Sequence, residues 1–247
     1  GNEGVGTATA MSADGSLIAM RSFAGAAPLP NGAVYLFQRV GNTWTEVARL
    51  QEPVAYSTGG FGISIAIDAV GHTVAIGNYS DSRIAYMQGA VSIFSKHPSG
   101  WAFDVALLPT YPTSNCVLGR PVAISAAGDR VLAGAAGHEF NGVEAGAVQV
   151  FERTNFGWQN GDVHFSTTPE WNAAFGKSVS MNAAGTRWAA GEHLADHYGV
   201  NAGRVHVFES PCTTPEIYCT AKTNRLGCVP QIGWQGTPSA SSPSGFA

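Results

Sequence analysis

The sequence predicts an all-β fold of about four units, each with four short antiparallel strands, set face to face around a common axis. Three observations predict it. GAVYLF begins at Gly32, GAVSIF at Gly89, GAVQVF at Gly146 and GRVHVF at Gly203, each 57 residues after the last. Gly62, Gly119 and Gly176 keep that interval, as do Gly71, Gly128 and Gly185 and the tryptophans Trp44, Trp101 and Trp158. No unit carries a long stretch of strong helix formers at a 3.6-residue period. A fixed period of this size marks a solenoid or a propeller. Four antiparallel strands per unit fit a propeller blade. A parallel β-solenoid is the structural alternative, but its rungs are usually shorter and hairpin turns suit it poorly.

The second unit shows the strands in order. ISIAID from Ile63 alternates large and small side chains, and TVAIG from Thr73 follows a turn at Ala69–Gly71. AVSIF from Ala90 is the third strand and WAFDVALL from Trp101 the fourth. The turns between first and second strands read SADG, DAVG, SAAG and NAAG. They are short enough for hairpins, and their glycine eases the chain reversal. Small residues such as Ser64 and Ala66 suit inner strands near an axis. Ile65, Ile67, Val122 and Ile124 are the expected filling between sheets. The three tryptophans are expected to pack blade edges. In the first unit Gly6 and Gly15 stand one residue out of step.

Blades are expected over about 5–57, 58–114, 115–171 and 172–210, within a propeller region 1–210. The fourth unit breaks off after VHVF, ending at Phe208, and no Trp…Leu strand follows. A three-stranded blade leaves an open edge, which invites pairing. Either an upstream segment supplies the missing strand or the ends pair in another way. A cysteine-containing tail spans 211–236. Residues 237–247 are small, polar and proline-bearing, as in a linker or the truncated start of a further module. Four blades either close a small ring or form part of a larger one.

The charge balance is slight, 13 basic against 17 acidic residues, for a net charge of -4. That gives no long-range attraction for nucleic acid or an anionic membrane. No run of about 18 apolar residues marks a transmembrane segment. The chain opens on Gly1 and shows no signal peptide, and a leader removed upstream is compatible with that start. Small uncharged residues abound, which suits an extracellular or cell-surface protein. Cys116, Cys212, Cys219 and Cys228 allow three complete pairings, of which Cys219 with Cys228 is expected to close most easily as a local loop. An oxidising compartment, free thiols and a cysteine zinc site are the alternatives, and the last lacks close-spaced CxxC pairs.

FGISIAIDAVGHTVAIG…GAVSIF…W and FGKSVSMNAAG…AAGE…GRVHVF resemble the FG-GAP repeat of integrin-alpha-like propellers, over roughly residues 5 to 208. The resemblance implies propeller blades, usually in surface or secreted proteins that serve adhesion or bind protein and glycan. Many complete rings of that family have seven blades, which favours a fragment of a larger ring. There are departures. The GAP tripeptide is replaced around Gly77, Gly134 and Gly191, and Val5 and Leu118 replace the Phe of the FG pair in the first and third units. The aspartate-rich DxDxDG calcium loop is absent, and Asp14 and Asp68 stand isolated where calcium needs six to eight oxygens. The tail YCTAKTNRLGCVP…GTPSASSPSGF resembles a cysteine-containing segment of secreted bacterial surface proteins, where it leads into a further module.

The loops joining second and third strands are about eleven residues long: RSFAGAAPLPN, NYSDSRIAYMQ, AAGHEFNGVEA and EHLADHYGVNA. Propeller geometry puts them on one face with the connections between blades. That face gathers Arg21, Asp81, Arg83, His138, Glu139, Glu144, Glu192, His193, Asp196 and His197, with Tyr56, Tyr111 and Trp171 alongside. Aromatic rings beside carboxylates suit a sugar or a peptide, and loops on a rigid scaffold commonly carry binding. An ordinary solvated rim is the plain alternative. Glu192, His193, Asp196 and His197 are the weak metal candidates, since zinc accepts such ligands. No HExxH helix, GxSxG elbow or phosphate loop is present. His138 and Glu139 are a candidate orienting pair. Asn78-Tyr79-Ser80 matches a glycosylation sequon. The expected function is recognition of a protein or glycan without cofactor or catalysis. A structural spacer joined to further segments of a parent protein, and a metal-dependent hydrolase, are the rivals.

Overall fold

The structure is a computed structural model that describes residues 4–22, 32–54, 56, 59–196 and 199–209, and the backbone of strands Glu216–Thr220 and Gln231–Ile232. It is all-β. Blade 1 holds β1 (Thr9–Met11), β2 (Leu17–Ser22), β3 (Ala33–Val40) and β4 (Thr43–Leu50). Blade 2 holds β5 (Phe61–Ile67), β6 (Thr73–Asn78), β7 (Ala90–His97) and β8 (Gly100–Leu107). Blade 3 holds β9 (Val122–Ile124), β10 (Arg130–Ala135), β13 (Ala147–Thr154) and β14 (Gly157–Phe165). Each is a four-stranded sheet whose strands pair antiparallel in chain order. Strand β9 is short because Pro121, which precedes it, has no N–H to give a neighbour.

Two departures from the sequence reading concern pairing. The loop after β10 folds into a small hairpin of β11 (Glu139–Phe140) and β12 (Val143–Glu144). Asn141 and Gly142 turn it at φ 52° and 78°, which is the Asn-Gly signature of a tight hairpin. Blade 4 holds β15 (Phe175–Met181), β16 (Arg187–Glu192) and β17 (Arg204–Glu209), and it does not stop at three strands. The fourth position is taken by β18 (Glu216–Thr220), from the cysteine-containing tail, and β19 (Gln231–Ile232) adds a fifth strand. Among the described residues the tail, and not an upstream segment, holds that position.

Three hydrophobic cores separate the four sheets. Leu17, Val34 and Leu36 meet Phe61, Val74, Ile76 and Phe94 between blades 1 and 2. Val91 and Ile93 meet Leu118, Val131 and Phe151 between blades 2 and 3. Leu132, Val148 and Val150 meet Phe175, Trp188 and Phe208 between blades 3 and 4. Ile65 and Ile67 pack against the first core and Val122 and Ile124 against the second, as expected. Trp101 and Trp158 flank the same cores, whereas Trp44 is 41% exposed. Ser64 does more than make room at the axis, since its hydroxyl donates to Gly119 O at 2.7 Å across a blade boundary.

Backbone contacts keep the repeat register between blades, at 57 residues after the first boundary and 56 across it. Ala13 N donates to Ala69 O, Ala69 N to Ala126 O and Ala126 N to Ala183 O, at 3.2, 3.1 and 2.8 Å. One alanine of each hairpin turn thus bonds the same alanine of the next. At the other end Gly89 bridges Leu118 and Gly146 bridges Phe175, both in parallel. The glycines permit this closeness. A Cβ on Gly77 would lie 1.8 Å from Gly119 O, and one on Gly134 2.0 Å from Gly176 O.

Cys116 is buried in the second core with a free thiol. Its neighbours are apolar side chains of that core and the Thr113 hydroxyl, so a disulfide role for it is not what the structure shows. Cys212 and Cys228 lie outside the described residues, and of Cys219 only the backbone of β18 is described.

Candidate functional site

The connections between blades and the loops after each second strand meet on one face, tied by backbone hydrogen bonds. Ser82 N donates to Tyr56 O, Asn115 N to Tyr86 O, Asn172 N to Glu144 O and Leu194 N to Ala173 O. The expected grouping of loops is therefore present. Beneath it lie two buried charged clusters, one in blade 2 and one in blade 4.

The blade 2 cluster centres on Glu52, on the connection before β5. Its carboxylate accepts Asn78 Nδ2 at 2.8 Å and Ser92 Oγ at 2.5 Å. Burial pushes its pKa above the usual carboxylate range, only partly offset by those donors. Arg83 lies 3.7 Å away and forks onto fully buried Asp81, with Nε 3.0 Å from Oδ1 and Nη2 2.7 Å from Oδ2. The guanidinium also stands 4.4 Å from the centre of the Tyr56 ring. Three of the expected residues, Tyr56, Asp81 and Arg83, are thus brought together. They form a self-satisfied knot, with a bidentate pair and a cation over a ring.

The blade 4 cluster centres on Glu192. This residue ends β16 and is fully buried, facing inward between blades. Its Oε2 accepts His206 Nε2 at 2.8 Å and Ser166 Oγ at 3.1 Å, with Arg204 Nε at 3.1 Å. Arg204 continues to Glu170 Oε1 at 2.6 Å and to the Thr168 hydroxyl. Glu170 Oε2 in turn accepts Asp196 N at 2.6 Å. EHLADH is therefore not one cluster. Strand alternation sends Glu192 into the core, while Asp196 is exposed and accepts Asn201 N at 2.6 Å on its own loop. Among the described residues no three His, Cys, Asp or Glu side chains converge to hold a metal ion. His193 forms part of a turn, and His197 lies outside the described residues.

On blade 3, His138 is buried and its Nε2 lies 3.1 Å from Tyr111 O. A carbonyl only accepts, so Nε2 carries the proton and Nδ1, buried without a partner, does not. Burial holds the imidazole below its ordinary pKa. Glu139 lies in the exposed hairpin strand β11 and acts on His138 through its charge rather than as an orienting partner. Tyr111 itself is 55% exposed and Trp171 74%. Arg21 is buried, with Nε donating to Phe61 O at 2.9 Å and Nη2 to Gly59 O, so it braces blades 1 and 2. Asn78 is fully buried on Glu52, which removes the sequon from solvent.

The residues missed by the sequence reading are Glu52, Ser92, Ser166, Glu170, Arg204 and His206. Their signal lies in the columns of the repeat. Position 204 is Arg where 33, 90 and 147 are Ala, and 52, 109 and 166 read Glu, Pro and Ser. Polar substitutions at buried columns mark both clusters. The turn carboxylates are locally satisfied too. Ser12 and Ser16 hold Asp14 down to a pKa of about 2, and Asp68 accepts His72 N at 2.7 Å.

No protein-family profile matches the chain, and no curated protein matches it in sequence. Among solved structures it is similar to the periplasmic gluconolactonase PpgL of Pseudomonas aeruginosa. That likeness has a TM-score of 0.53 at 13% identity, over 90% of this chain and 58% of that one. It is also similar to a putative TolB from Agrobacterium tumefaciens, at a TM-score of 0.48 and 13% identity, over 93% of this chain and 66% of that one. The fold is a β-propeller. The chain spans less than two thirds of the length of either neighbour. No helix among the described residues is long and apolar enough to cross a membrane.

Proposed function

We propose that the chain is a binding module of a secreted or cell-surface protein, recognising a protein or glycan through the long-loop face. The observation that carries the reading is Trp171. Its ring is 74% exposed, yet the backbone around it is fixed. Asn172 N is bonded to Glu144 O, and Glu170 is held by Arg204 and Asp196 N. An exposed ring on an already ordered loop gives up little entropy on binding. Tyr111 and Tyr86, 55% and 66% exposed, stand on connections held in the same way. Such rings suit the face of a sugar or an apolar peptide side chain.

The FG-GAP resemblance of the repeats supports an adhesive or binding role, and so does a periplasmic propeller neighbour for the compartment. That neighbour's title names a lactonase, but identity this low carries over the fold alone. Glu192 and His206 form an acid–base pair, and both are fully buried, out of a substrate's reach. Glycan and protein arrays test the proposal. A specific ligand should emerge, with affinity falling about 10- to 30-fold in Trp171→Ala, as for a hot-spot ring. Absence of any specific ligand, or binding indifferent to Trp171→Ala and Tyr111→Ala, favours the spacer reading.

A further inference from the structure

Four blades share three cores, and among the described residues nothing packs on the outer faces of blades 1 and 4 as it does on every inner face. Blade 4 repeats the receiving surface of blades 1 to 3. Val205 stands where Val34, Val91 and Val148 are fully buried under the next blade, and it is 38% exposed. Gly191 stands at the position of Gly77 and Gly134. A Cβ there would meet only its own blade's Ser178, with no neighbouring carbonyl nearby.

Blade 1 repeats the entering surface. Val5 stands where Phe61, Leu118 and Phe175 are buried, and it is 52% exposed. Gly6, at φ 94°, matches Gly62, Gly119 and Gly176; the last two press their carbonyls on Gly77 and Gly134 of the preceding blade and Gly62 packs on Arg21 and Val34, whereas Gly6 has open space around it. Met11 and Trp44, 57% and 41% exposed, belong to the same face. Apolar side chains exposed at positions that the other blades bury mark an association site.

We propose that blade 4 docks on blade 1 of a second copy of this chain, by the contact that already joins consecutive blades. The occupant is fixed by register. Gly191 leaves room for the Gly6 carbonyl of the partner subunit, as Gly77 does for Gly119 and Gly134 for Gly176. Gly203 meets Val5 of the partner subunit, as Gly89 meets Leu118 and Gly146 meets Phe175. Two such contacts related by a two-fold axis close a ring of eight blades, within the usual range for propellers.

Light scattering of the purified chain tests this. At tens of micromolar the mass should be about 51 kDa, twice the 25.6 kDa of one chain. Val205→Glu and Val5→Glu, each alone, should return it to a single-chain mass with an unchanged far-ultraviolet spectrum. Phe156→Glu, at a turn residue 93% exposed and far from both faces, should leave the pair intact. A single-chain mass for the unaltered protein overturns the proposal. So does a pair that survives both glutamates, or a mass that climbs past two chains with concentration.

Discussion

Arg21 reaches across the first blade boundary and donates from Nε to the carbonyl of Phe61, 2.9 Å away. Aligned by β-pairing, Arg21 opposes Val34 as Gly77 opposes Val91 and Gly134 opposes Val148. It therefore occupies the column that elsewhere needs glycine. Between blades 2 and 3 the backbones touch there, whereas between blades 1 and 2 a buried guanidinium bridges them. Arg21→Ala leaves the Phe61 and Gly59 carbonyls without that donor and opens a void. It should lower unfolding free energy by about 2–5 kcal/mol, read from urea melts. A loss near zero would show that the bridge is incidental.

The same residue shows what the sequence made legible and what it did not. Repeat phrases and turn glycines gave strands, blades and the shared loop face. The first unit steps by one residue fewer, so a strict 57-residue comparison sets Met20 rather than Arg21 against Gly77. Glu192 reads as a loop-face residue for a related reason. In a strand successive side chains face opposite ways, and a string of polar letters running from strand into loop hides that flip. The tail strand β18 gave no Trp…Leu signal because its pairing is fixed by the exposed edge of β17, a tertiary cause. The Asn141–Gly142 hairpin is legible as an Asn-Gly pair between short strands.

His138 gives a pH dependence with a definite sign. Its pKa in the fold lies below 6.5, while the unfolded chain keeps the ordinary value. Between those two values the unfolded state binds more protons, so stability rises with pH across the window. The contribution is complete above the unfolded pKa and is lost as pH falls through the folded one. His138→Gln keeps a donor for Tyr111 O and removes the titration. Urea midpoints should therefore fall less on acidification from about pH 7 to about pH 5 than in the unaltered chain. Identical slopes would remove His138 from the account.

Cys116 should be silent in the folded protein. Burial raises its thiol pKa to about 12, and thiolate is the reactive form. Mass spectrometry of the peptide containing Cys116 should show no alkylation at neutral pH until urea unfolds the chain. Rapid labelling under native conditions would contradict the buried placement. Cys116→Ala should cost less than Cys116→Asp, since the site is apolar.

Stacking of successive blades through glycine is the claim on which the loop face and its ligand both rest. The most direct measurement compares unfolding free energies of Gly77→Ala, Gly134→Ala and Gly161→Ala. In the first two, the new methyl would sit 1.8 and 2.0 Å from a carbonyl of the next blade, and in the third the nearest atom is 3.2 Å away within its own blade. The first two should each lose about 3 kcal/mol or more, and the third within about 1 kcal/mol of the unaltered chain. Three similar small losses would mean that the sheets do not press together there, and the propeller arrangement would be contradicted.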